Sequence, residues 1–214
     1  KKDPESRALS NFILILREIA RAIGEDLSGH FKEFLNPAYS RRIRTNAAAG
    51  LYLTEPKNTV LLKLLEELRN STDSWDVNAW VFFQGEVQNI NAMSEIAMMS
   101  MTSNHQNPSI LMTLLKLGHP EAPAWLAQYF QGVTQDSAIS LIHSLNSVMA
   151  QESRLRFYKH IIGHYPEVIE KLLTCITYSK RDFGDDFQKI LLELRFRGID
   201  TLPFAKVARF GHYR

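Results

Sequence analysis

Apolar residues in this chain recur at three- and four-residue intervals far more often than at every second position, the pattern of helices buried along one face. Between Asn58 and Arg69, the residues Val60, Leu61, Leu64, Leu65 and Leu68 share one face, Glu66 and Glu67 lie off it, and Asn58 or Thr59 can cap the first turn. From Pro4 to Ile23 the same spacing joins Leu9, Phe12, Ile13, Leu16, Ile19, Ala20 and Ile23, and Gly24 stands where a left-handed stop belongs. A second helix is predicted from Glu25 to Leu35. Asn36-Pro37 ends it, because the residue before a proline is pushed out of the α region.

Pro108 or Ser109 opens a further helix that stops at Gly118, and Gly118-His119-Pro120 leads straight into Glu121 through Gln131. Gly163-His164-Tyr165-Pro166 reads as the same device, ahead of a helix over Glu167 to Thr177 that carries Val168, Ile169, Leu172, Leu173 and Ile176. Glycine supplies a positive φ at a helix end and proline suits the first turn of the next helix, so both sites are predicted as tight αα-hairpins.

Junctions near Gly24, Asn70, Gly118 and Gly163 fall at intervals of 46, 48 and 45 residues, with a closer one at Gly198. In period alone this resembles paired-helix arrays of the HEAT or armadillo kind; no residue-by-residue repeat accompanies it. The expected fold is all-α: a multi-helix domain of antiparallel helical hairpins, arranged as a short α-solenoid or as an irregular helical bundle. One domain over residues 1–214 is expected. The breaker cluster Ser100 to Pro108 is the place for any subdivision, and Ser179 to Asp186 is a second interruption of the apolar pattern.

Composition supports a substantial core, with 45% hydrophobic residues over 214 positions. Lys plus Arg number 25 against 23 Asp plus Glu, so a net charge of +2 lacks the strong field of a protein given over to phosphate binding. The apolar run Phe12 to Leu16 is cut off by Arg17 and Glu18, far short of the roughly 18 to 20 residues that cross a bilayer. Cys175, the single cysteine, cannot form an intramolecular disulfide, which points to the cytoplasm or another reducing compartment. The start Lys1-Lys2-Asp3-Pro4 has no initiating methionine, so a segment of a longer chain or a processed product is expected. Asn70-Ser71-Thr72 fits a glycosylation sequon, a triplet that chance also supplies often.

Candidate chemistry is sparse. His160 and His164 stand four apart, as helical metal ligands do, yet no glutamate follows the first histidine, Gly163 is predicted to end the helix between them, and no third ligand has a suitable spacing. Asp182-Phe183-Gly184 matches the magnesium-binding triplet of protein kinases, but a Gly-rich loop, a strand lysine and a His-Arg-Asp loop are all missing; the segment reads as a turn before a helix capped at Asp185 or Asp186. Cys175 sits among apolar residues as a small core side chain. The adjacent carboxylates Glu66-Glu67 and Asp185-Asp186 would point about 100° apart on a helix, as on a solvated face. No catalytic residue, metal or cofactor is assigned.

Two basic clusters remain. Arg41, Arg42 and Arg44 follow Tyr39-Ser40, and guanidinium groups there could grip phosphates or carboxylates. Arg154, Arg156 and Lys159 interleave with Leu155, Phe157, Tyr158 and His160, a composition suited to nucleic-acid backbone and bases, although Leu155 and Phe157 also fit a core. Trp75, Trp80, Phe82, Phe83, Trp125, Tyr129 and Phe130 form two aromatic concentrations read mainly as core, and Met93, Met98, Met99 and Met101 could line an adaptable partner groove. The function expected from these features is a non-enzymatic protein-interaction domain, an adaptor, scaffold or regulatory module, with another protein as its partner. A nucleic-acid-associated domain using the six basic residues is the alternative, and an all-α enzyme whose site is assembled only by the fold is the third class.

Overall fold

A computed structural model describes residues 4–178 and 183–201. Among the described residues the chain forms twelve α-helices and no strand, the all-α class that the periodicity predicts. No described helix is long and apolar enough to cross a membrane. Two compact units part between Ala92 and Met93.

The first unit contains α1 (Pro4–Ile23), α2 (Ser28–Glu33), α3 (Arg41–Tyr52), α4 (Thr59–Arg69) and α5 (Ser74–Glu86), followed by a 3₁₀ turn over Ile90–Ala92. Its centre is α3, which packs against each of the other four helices. Small residues make this approach feasible: Ala47, Ala48, Ala49 and Gly50 are all buried, and a Cβ at Gly50 would overlap the fully buried ring of Phe31. Asn58 caps α4 by accepting the Val60 and Leu61 N–H groups, and Asp73 caps α5 through Trp75 N–H. The helix predicted over Glu25 to Leu35 is shorter than expected. Asp26 Oδ1 accepts the Ser28 N–H and delays its start, while its last turns close through i to i+3 bonds such as Leu35 N–H to Lys32 O.

Not all of the predicted apolar faces are covered. On α1, Ile13 and Ala20 are buried, but Phe12, Ile15, Ile19 and Ile23 form an exposed stripe; on α4, Leu61, Leu64 and Leu68 are buried and Val60 faces out.

The second unit contains α6 (Met93–Thr102), α7 (Pro108–Leu117), α8 (Ala122–Gly132), α9 (Gln135–Val148), α10 (Gln151–His164), α11 (Ile169–Tyr178) and α12 (Phe183–Phe196). Residues 103–107 link α6 to α7, which pack on each other. The α7–α8 hairpin is built as the sequence predicts: Gly118 takes φ +88°, His119 N–H reaches back to Leu114 O at 2.9 Å, and Gly118 N–H bonds Leu115 O at 3.2 Å. It is Pro123, though, that occupies the first turn of α8, not Pro120.

The second predicted hairpin differs. α10 continues through Gly163 to His164, and a 3₁₀ turn over Pro166–Val168 leads into α11. Gly163 is therefore an interior helix residue. Likewise α12 begins before Asp186, which lies inside the helix with its carboxylate buried, so it is not a cap; the Asp185 side chain and the triplet's Asp182 lie outside the described residues.

Candidate functional site

The six basic residues expected to meet a partner fall three in each unit, and the structure gives them different tasks. Arg41, at the start of α3, pairs with Asp76 and with Asp73 at 2.7 Å, tying α3 to the beginning of α5. Arg44 donates to Leu35 O at 3.3 Å and approaches Glu67 at 4.0 Å. Arg42 projects from the exposed side of α3.

In the second unit Arg154 binds Asp186 through two parallel bonds and donates to Met149 O at 2.5 Å. Burial works against the Arg154 charge, and the Asp186 carboxylate beside it outweighs that, holding the guanidinium more firmly protonated than usual. Arg156 donates to His119 O at 3.4 Å, behind the α7–α8 hairpin. Lys159 is exposed and 3.7 Å from Glu193. Arg41 and Arg154 are thus committed to carboxylates of their own chain, while among the described residues Arg42 and Arg156 meet no carboxylate and Lys159 only a distant one.

The most distinctive surface lies beside this second cluster. α10 and α12 run side by side in the same direction: Arg154 meets Asp186, Lys159 meets Glu193, and Gly163 faces Arg197. Between them opens a groove of about 430 Å³ lined mainly by Leu155, Tyr158, Ile162, Ile190, Leu192 and Phe196, with Lys159, Lys189 and Glu193 along it. Tyr158 and Ile190 belong to its buried floor. Leu192 and Phe196 are 61% and 88% exposed, so two large apolar side chains one helical turn apart stand open to solvent at its margin.

The segment Phe187 to Phe196 explains why. Phe187, Ile190 and Leu194 make the stripe that α12 buries, and Leu192 and Phe196 form a second stripe that no described neighbour covers. Sequence reasoning passed over both residues. An excess of apolar positions over what one helical face can hold was the signal. Leu155, read as core or contact, lines the groove half-buried, whereas Phe157 is fully buried against Phe130.

Tyr158 lies at the groove floor. Burial first, and Asp186 nearby, push the Tyr158 phenol well above its ordinary range, and its hydroxyl donates to Asn146 Oδ1 at 3.3 Å. A neutral, hydrogen-bonded phenol is a structural group here.

The remaining candidates are local. His160 and His164 share α10 after all, their rings stacked 4.2 Å apart, and His164 Nδ1 lies 3.1 Å from His160 O. Among the described residues no three His, Cys, Asp or Glu side chains are placed to hold a metal ion. Cys175 is buried, its thiol pushed up to about 11 by burial, with Lys171 and a Gln135 bond pulling weakly the other way. Trp125 is half-buried between His105 and His119, at ring distances of 4.3 Å and 4.9 Å, while Trp80, Phe83 and Phe130 are core. Trp75 is 71% exposed. Met98 and Met101 are exposed on α6, and Met93 and Met99 are half-buried. Comparison with family models, with curated proteins and with solved structures finds no match to this chain.

Proposed function

We propose that this chain is a non-enzymatic protein-interaction domain whose α10–α12 groove receives apolar side chains of a protein partner. The observation that carries this reading is the pair Leu192 and Phe196, exposed one turn apart on the edge of a groove with an aliphatic wall. Covering a large apolar side chain is worth about 1.5–3 kcal/mol, so two such residues and their counterparts can anchor a complex, and aromatic anchors in pockets dominate interface energetics. Parallel helices with a groove between them suit a partner helix laid along it. The exposed stripe of Phe12, Ile15, Ile19 and Ile23 on α1 is a second apolar surface.

Arg41 and Arg154 are poor contacts for a nucleic-acid partner, because each would leave carboxylates behind on binding phosphate. The buried thiol of Cys175 fits a reducing compartment such as the cytoplasm.

The test is selection of amphipathic helical peptides from a displayed library on the purified chain. Enriched peptides should lose at least about tenfold in affinity to Phe196→Asp and Leu192→Asp variants with unchanged helical circular dichroism, as expected for a central anchor. If the wild-type chain enriches no peptide, or if enriched peptides bind these variants undiminished, the groove is not the docking surface.

A further inference from the structure

Resting on the groove as the docking surface, we infer that the partner segment is acidic: an amphipathic helix whose apolar anchors are flanked by aspartate or glutamate. Phe196, the last residue of α12, is bracketed by Arg195 within the helix and Arg197 just past its end, and Lys159 lies across the groove on α10. Glu193 stands among these three cations, accepting from Arg197 at 2.8 Å and facing Lys159 at 3.7 Å, and the exposed Asp200 follows three residues after Arg197. Arg195 instead donates to the hydroxyl of Thr201, a neutral partner. Lys159, Arg195 and Arg197 against Glu193 and Asp200 leave an excess of one. The C-terminal end of α12 offsets roughly half a charge of that, because its free carbonyls carry the negative end of the helix dipole. About half a positive charge therefore remains around the exposed aromatic ring, and it rests on Lys159 and Arg195, whose own partners hold them loosely.

The nearest further acid on α10, the exposed Glu152, lies ten residues before Ile162, about 15 Å along the helix and near the other end of the groove. Lys159 and Arg195 are the cations that a partner can engage at least cost. Lys159 is 59% exposed and held only at 3.7 Å, and Arg195 is held by a single bond to a hydroxyl. Carboxylates placed beside an apolar anchor would complete both without opening the tighter Arg197–Glu193 pair.

The lining separates this partner from a nucleic acid. Single strands bind on aromatic platforms, whereas here Phe196 is the one exposed ring among Leu155, Ile162, Ile190 and Leu192, an aliphatic wall suited to leucine-like anchors. From Leu155 to Ile162 the α10 wall is two helical turns long, which matches a partner with anchors at i, i+4 and i+7.

The experiment measures binding of the whole chain to three fluorescent probes: a helical peptide with leucines at i, i+4 and i+7 flanked by glutamates, the same peptide with lysines in place of the glutamates, and a single-stranded RNA of similar length. At about 50 mM salt the glutamate peptide should bind about tenfold or more tighter than the lysine peptide, and the preference should shrink severalfold at about 300 mM, as screening shortens to within a side chain's reach. The pair of substitutions Lys159→Glu and Arg195→Glu should reverse the preference, and Phe196→Asp should abolish binding of both peptides. Equal binding of the two peptides, both lost in Phe196→Asp, overturns the acidic partner and leaves the groove reading standing. No binding of either peptide overturns both. RNA binding tighter than either peptide, and lost in the Lys159→Glu, Arg195→Glu variant, overturns both in favour of a nucleic-acid partner.

Discussion

Arg154 on α10 closes a two-pronged ion pair on Asp186 of α12, with Nε 2.8 Å from Oδ2 and Nη2 3.1 Å from Oδ1, and Gln151 adds a third bond to the same carboxylate at 2.9 Å. Asp186 is 2% exposed, so its charge is tolerated only because these donors replace water. Replacing Arg154 with methionine should therefore destabilise the chain by about 3–5 kcal/mol, the cost of stranding a buried charge. The double replacement Arg154→Met, Asp186→Leu should recover most of that loss, since a buried pair is itself worth little against apolar side chains of similar size. Urea midpoints of the two variants check this. A single variant within about 1 kcal/mol of wild type would show the pair to be dispensable and return Arg154 to the pool of contact residues.

Three glycines should respond differently to alanine. Gly118 sits at φ +88°, where a Cβ meets the following carbonyl, so Gly118→Ala should cost about 1–2 kcal/mol. Gly50→Ala should cost as much or more, about 1–3 kcal/mol, because the new methyl would lie 2.4 Å from a carbon of the fully buried Phe31 ring. Gly163 is helical; alanine there gains up to about 1 kcal/mol in helix propensity and has only to displace the mobile end of Arg197, 2.9 Å away. Its net effect should stay within about 0.5 kcal/mol of zero. Thermal melts of the three variants give the ranking.

That contrast marks where the sequence was legible. Helix class, the cap at Asn58 and the stop at Gly118 are local properties, decided by propensity and by hydrogen bonds within a few residues, and all were readable. Gly163-His164-Tyr165-Pro166 has the same punctuation as Gly118-His119-Pro120, yet its helix runs on, because Ile161 and Ile162 are buried and tertiary packing carries α10 past the glycine. The groove was not legible for a related reason. Nothing local distinguishes Phe187, which is buried, from Phe196, which is not; the difference is which stripe of α12 finds α10. The basic clusters were visible as composition, but Asp73, Asp76 and Asp186, which engage Arg41 and Arg154, lie 32 to 35 residues away in the chain.

Lys171 carries a separate prediction. Its ammonium group lies 2.7 Å from Phe130 O and 2.6 Å from Val133 O, with Gln131 O at 3.4 Å, and so caps the C-terminal carbonyls of α8 from α11 while sitting 5.0 Å above the Phe130 ring. Methionine keeps the stem and removes the donors. Lys171→Met should lower stability by about 1–2 kcal/mol, the lower part of the range for an unsatisfied buried group, because the site is half-open and water can replace some of the bonds. Chemical denaturation measures the loss, and a variant as stable as wild type would mean that water satisfies those carbonyls unaided.

Alkaline pH should expose the burial of Cys175. Its thiol ordinarily loses its proton near 9.0 and is pushed up to about 11 in the fold, chiefly by burial. The folded state therefore retains a proton that the unfolded chain releases. This contribution is complete below about pH 9 and is lost progressively as pH rises toward about 11, because the unfolded state is the one that gains from ionising. Between pH 9 and 10 the loss attributable to this one proton is about 1 kcal/mol. The Tyr158 phenol, raised in the same direction by its burial, adds to the decline above pH 10. Stability measured in urea at pH 8, 9 and 10 should fall more steeply in the wild type than in Cys175→Ala, whatever the offset that the lost side-chain volume imposes at all three values. Parallel curves would mean that the thiol ionises in place, which would require water to reach the space between α9 and α11 where Gln135 donates to its sulfur at 3.4 Å.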